Sequence, residues 1–119
     1  MAVPGSEEAA ALQEEIAGLS DEQQVERVGE EWAELYAERD ETMCGYLHPD
    51  LGAGPGTCAS YADGALTGSN VLQESFAGTT VESVDVKGQT AVAEFSNDER
   101  VEFQQDPDGE WKVIRAPQP

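Results

Sequence analysis

Apolar residues recur along this chain with two periods, a helical one up to about residue 66 and a period of two from about residue 79. The strongest pattern is Val25, Val28, Trp32, Leu35 and Tyr36, at i, i+3, i+7, i+10 and i+11. These form one face of a helix. Ser20 opens it, and Ser20 with Gln23 has the capping-box spacing, in which each side chain satisfies the other's orphan amide. Gly29 interrupts the helix at a cost of about 1 kcal/mol relative to alanine. Its retention there predicts a close approach to a sheet or a second helix. Upstream, Leu12, Ile16 and Leu19 make a narrower stripe on a helix expected over Ser6–Leu19, with Glu7 and Glu8 in the first turn, where the helix dipole favours anions. So thin a stripe must dock, on its own domain, on a neighbouring subunit or as a stalk.

Asp40 to Leu47 reads as a short helix or irregular turn, stopped by Pro49, which biases His48 away from helical backbone. Gly52–Gly56 is a loop, and Thr57–Leu66 has the spacing of a further short helix. Ser69 or Asn70 would cap a last helical turn through Phe76. Four strands follow. Val81, Val84 and Val86 fall out of strict alternation, which predicts a bulge near Glu82–Ser83. Lys87–Gly88–Gln89 is a turn, after which Ala91, Ala93 and Phe95 share one face. Asn97–Asp98 turns the chain again, and Val101, Phe103 and Gln105 share a face of the third strand. Asp106–Pro107–Asp108–Gly109 is a strong turn signal. Trp111, Val113 and Arg115 then alternate with Lys112 and Ile114. Short strands joined by tight turns predict an antiparallel meander. The fold class is α+β, with N-terminal helices packed on a curved antiparallel sheet of about four strands. The expected organisation is an extension over 1–19, a single α+β domain over 20–116 and a tail over 117–119.

Charge narrows the function classes. The 119 residues carry 25 acidic and 6 basic side chains, a formal charge of -19. A nucleic-acid binder must bring Lys and Arg to phosphates, and an anionic membrane surface makes the same demand. Both partners are excluded on this balance. Scattered acids read as a solvated face, and a cation-binding surface is the competing reading. Glu22, Glu26, Glu30, Glu34 and Glu38 form an i, i+4 ladder of like charge on the main helix. Each such pair costs a few tenths of a kcal/mol, which tertiary packing must offset. Single carboxylates on an exposed helix make a poor cage for a metal ion, and no metal or cofactor is expected. No stretch approaches the ~18 apolar residues of a membrane span. Residues Met1–Ser6 lack the features of a secretory leader, while the two cysteines, Cys44 and Cys58, suit an oxidising compartment. The expectation is an exported or envelope-anchored domain whose leader is absent from this chain.

The arrangement resembles the nuclear-transport-factor-2-like superfamily, and more narrowly its small secreted or lipid-anchored actinobacterial members. Three segments carry the likeness: Met43-Cys44-Gly45-Tyr46-Leu47-His48-Pro49 after a long helix, Val84–Phe95 as the central hairpin, and Asp108-Gly109-Glu110-Trp111-Lys112-Val113-Ile114 as the closing strand. The resemblance implies a cone, a curled sheet around a cavity partly closed by helices. In some members that cavity is an active site, as in ketosteroid isomerases and polyketide cyclases. In others it is a ligand pocket, a dimer surface or plain core, and fold alone does not choose among them.

The chemistry legible in the chain is sparse. Cys44 and Cys58 lack the spacing of a redox pair and have no second pair to complete a zinc site, so a disulfide closing the loop between them is the expectation. His48 is the one histidine, with Asp50 as its nearest candidate orienter. Asp63, Asp85 and Glu94 are the candidate general bases, but Asp85 between two valines and Glu94 opposite the Ala91/Ala93/Phe95 face are expected outside. Trp32, Tyr36, Tyr61, Phe76, Phe95, Phe103 and Trp111 would either line an apolar pocket or fill the core. The reading that follows is a non-enzymatic extracytoplasmic binding or interaction domain, taking a small apolar molecule or a protein partner, with homodimerisation through the exposed face of the sheet. The alternative is a small isomerase or cyclase with a pocket carboxylate as base.

Overall fold

The computed structural model describes residues 6–38, 40–48 and 74–115. Two helices, α1 (Ser6–Ile16) and α2 (Asp21–Ala37), precede a 3-10 segment at Glu41–Tyr46. Four strands follow, β1 (Val81–Lys87), β2 (Thr90–Phe95), β3 (Arg100–Gln105) and β4 (Trp111–Arg115). They form one open antiparallel sheet in the order β1-β2-β3-β4. Both helices pack on it, so the fold is α+β.

The capping box at the start of α2 is present. The Gln23 amide donates to Ser20 Oγ at 3.3 Å, and the Ser20 amide donates to Gln23 Oε1 at 3.2 Å. Val25, Val28, Trp32 and Tyr36 are buried, as the periodicity requires, and Ala33 and Gly29 join them. Leu35 is half-buried. An ideal Cβ on Gly29 would lie 3.2 Å from the Cζ atoms of both Phe95 and Phe103. The glycine is therefore the point where α2 crosses the sheet.

The apolar stripe of α1 is Ala9, Leu12 and Ile16, all buried. Leu19 does not belong to it. The helix ends at Ile16, and Leu19 is 40% exposed in the turn beyond. Buried Gln13 joins the stripe and donates through Nε2 to the Trp111 carbonyl at 3.1 Å, tying α1 to β4 of the same chain.

The sheet keeps its helix-side face apolar through Ala91, Ala93, Phe95, Val101, Phe103, Trp111 and Val113, all buried. The predicted bulge is found in β1: Val81 pairs with Phe95 and Ser83 with Glu94, leaving Glu82 as the extra residue. This slip lets Val81, Val84 and Val86 all turn partly toward the core. A second bulge was not legible in the sequence. Phe103 pairs with Val113 but Glu102 with Arg115, so Ile114 is extra. Arg115 thereby leaves the Trp111/Val113 face on which strict alternation puts it. It stands across from Glu102, with Nε 3.1 Å from the carboxylate.

The outer edge of β4 is covered. Leu47 bridges to Val113 in parallel fashion, and the His48 amide donates to the Val113 carbonyl at 2.7 Å. Lys112 reaches the same segment, donating through Nζ to the Gly45 carbonyl at 2.9 Å. Asp40 caps the 3-10 segment by accepting from the Thr42 amide and hydroxyl, and these bonds hold its carboxyl below the usual carboxylate range.

Candidate functional site

Between α2 and the sheet the space is filled by side chains. Trp32 stacks on Tyr36 with ring centroids 4.8 Å apart and meets Phe76 edge-on at 5.4 Å. Phe76 in turn packs edge-on against Tyr36 at 5.4 Å and Phe95 at 5.5 Å. Such offset and edge-to-face contacts add roughly 0.5–1.5 kcal/mol per pair beyond burial. Trp32, Tyr36, Phe76, Phe95, Phe103 and Trp111 are all buried. Tyr61, the seventh aromatic singled out in the sequence, lies outside the described residues. Among the described residues the indole N–H groups of Trp32 and Trp111 are buried with no hydrogen-bond partner, a situation that costs about 1–3 kcal/mol each.

The candidate bases are not in this interior. Asp85 is exposed and 3.8 Å from Lys87 Nζ. Glu94 is exposed on the far face of the sheet, where Arg100 lies 3.1 Å from its Oε1 and the Ser83 hydroxyl donates to Oε2 at 3.1 Å. His48 is half-buried beside β4. Its candidate orienter Asp50, and Asp63, lie outside the described residues. Asp85 and Glu94 therefore stand outside the space between α2 and the sheet. No family model matches this chain, and neither a similar curated protein nor a similar solved structure is found.

Of the cysteine pair, Cys44 is buried on the 3-10 segment and Cys58 lies outside the described residues. Among the described residues there is no free cysteine. Two residues beyond Cys44, Tyr46 is buried on the same segment, which packs against both helices. Its burial, with Glu31 and Glu8 nearby, pushes its hydroxyl up to about 12.

The acidic ladder of α2 borders two surface grooves, one against the segment that leads into β1 and one against the start of β1 itself. One, of about 480 Å³, runs past Glu30, Glu34 and Glu38 to Phe76–Thr80. The other, of about 220 Å³, lies between Glu22, Gln23, Glu26 and residues Val81–Val84. Glu30 is the rung that joins helix to strand. Its Oε2 accepts from the Val81 amide at 3.1 Å, pinning α2 to the start of β1. The sequence showed the ladder and the bulge separately. That they meet is a tertiary fact. Among the described residues no group of three or more His, Cys, Asp or Glu side chains is placed to hold a metal ion, and no helix is long and apolar enough to cross a membrane.

Proposed function

We propose that this chain is a non-enzymatic extracytoplasmic binding domain of the nuclear-transport-factor-2-like type, and that its partner is a protein rather than a small apolar molecule. One observation carries the reading. The two candidate carboxylate bases among the described residues, Asp85 and Glu94, stand on the solvent side with cationic neighbours, while the volume between α2 and the sheet is occupied by Trp32, Tyr36, Phe76 and Phe95. A proton-abstracting base must reach its substrate inside a water-poor site, and these groups do not face one. The order of long helix, cysteine segment and four-stranded meander supports the family likeness. The absence of a free cysteine among the described residues, with Cys44 buried, supports a Cys44–Cys58 disulfide and hence an oxidising compartment.

The test is catalytic. A β,γ-unsaturated ketosteroid is incubated with the protein, and formation of the conjugated enone is followed by absorbance. The background rate is expected. Acceleration that is lost in Glu94→Gln or Asp85→Asn would overturn the reading.

A further inference from the structure

We propose that the free edge of β1 is a docking strand for an extended, lysine- or arginine-bearing segment of a partner protein, which would add to the sheet beside the acidic face of α2. This rests on the binding-domain reading and names the partner's chemistry. Among the described residues the sheet ends at β1 on one side and at β4 on the other. The β4 edge is occupied by Leu47 and His48. Along β1, the backbone groups divide by position. Lys87 and Thr90 flank a two-residue turn and form a hydrogen-bonded pair, so Asp85 and Ser83 direct their amides and carbonyls to β2. Val84 and Val86 direct theirs away from it, and among the described residues nothing bonds to them. Upstream of the bulge the situation changes, because Glu30 already takes the Val81 amide. The unpaired stretch therefore begins just past the bulge.

An unpaired edge is a template for any extended chain, and charge decides which. The groove beside it is lined by Glu22 and Glu26 from α2 and by Glu82 of the bulge. A second copy of this chain, with the same acids and a net charge of -19, is repelled from that edge. A segment with alternating cationic side chains meets carboxylates on the α2 side while its backbone completes the ladder. Partly buried Val84 and Val86, on the same α2 side, then flank the alkyl stems of those cationic side chains.

The probe is a synthetic peptide alternating lysine with valine, titrated into the full chain while the amide signals and hydrogen exchange of Val84 and Val86 are followed. Binding is expected to shift and protect those two amides and to weaken as salt is raised. In antiparallel addition the α2-side lysines stand opposite Val84 and Val86, so N-methylation of the lysines' backbone amides keeps the charge but removes ladder donors, and is expected to weaken binding about tenfold or more. Glu22→Gln and Glu26→Gln, which relieve like-charge repulsion on an exposed helix and so leave the fold intact, are each expected to weaken it roughly twofold to fivefold. Failure of the lysine peptide to bind, equal binding of the N-methylated peptide, or shifts that leave Val84 and Val86 untouched would overturn the docking edge. Those results leave the non-catalytic reading standing, since it falls only to turnover in the ketosteroid assay.

Discussion

Gly29→Ala isolates the contact on which the helix and sheet layers depend. In an exposed helix the change would be favourable by about 1 kcal/mol, because alanine loses less backbone freedom on folding. Here the added methyl would stand 3.2 Å from Phe95 Cζ and Phe103 Cζ and 3.5 Å from Val81 Cγ2. Carbon atoms attract best at about 3.5–4.0 Å, so both rings must retreat by a few tenths of an ångström. Neither has room. Phe103 is fully buried, and Phe95 is held edge-on between Phe76 and Trp32. Overpacking of this kind costs about 1–3 kcal/mol. Set against the propensity gain, the net is a loss of about 1 kcal/mol, or a fall in Tm of roughly 4 °C. Gly18→Ala is the control, since nothing lies within 4 Å of its Cβ position and its backbone is not left-handed. It is expected to be neutral or to stabilise by up to about 1 kcal/mol. Urea denaturation gives both values from midpoints at constant slope. A double-mutant cycle with Phe103→Leu completes the test, because a shorter side chain should recover part of the Gly29→Ala loss. If Gly29→Ala stabilises as much as Gly18→Ala, or if the cycle shows no coupling, the close approach does not constrain the fold and the reasoning fails.

Further expectations concern the caps, the cysteines and the buried phenol. Ser20→Ala removes the acceptor of the Gln23 amide and should cost about 1 kcal/mol in chemical denaturation; an unchanged midpoint would show that the box does not hold the helix end. Cys44→Ser should lower Tm under oxidising conditions only, by the equivalent of ~3 kcal/mol for a loop of this kind, and equal melting of the parent with and without reductant would exclude the disulfide. Tyr46 has a folded-state pKa raised from 10.0 to about 12, so its contribution is fully present below pH 10 and is lost as pH rises toward 12. Stability should therefore fall over that window, and Tyr46→Phe should flatten the fall. Asp40 behaves oppositely: its lowered pKa means that its contribution is present above the usual value of 3.8 and is lost as pH falls through the folded value, an acid limb that Asp40→Asn should remove.

The candidate site divides sharply between what was legible and what was not. The burial of Trp32, Tyr36, Phe76, Phe95, Phe103 and Trp111 follows from residue type and period. That they pack on one another followed from neither, because the same pattern serves a lined pocket and a filled core. The outward placement of Asp85 and Glu94 was readable from alternation alone, since a pleated strand sends neighbours to opposite faces. Arg115 was misplaced by the same rule, because the extra residue at Ile114 reverses the parity and no local signal marks it.

By itself the sequence determined the elements: the capped α2 with its continuous apolar face, the bulge in β1, the turns and the alternating faces of β2 and β3. These obey rules that act over a few residues, where capping, turn chemistry and side-chain period are all local. The tertiary structure alone decided the joins. Gln13 bonds to the Trp111 carbonyl across 98 residues, Lys112 to the Gly45 carbonyl across 67, and Glu30 to the Val81 amide across 51. Each partner looks ordinary in its own segment, an exposed polar residue or an unremarked backbone group. Each becomes structural only once hydrophobic burial has brought distant elements within bonding distance and left a polar group there in need of a partner.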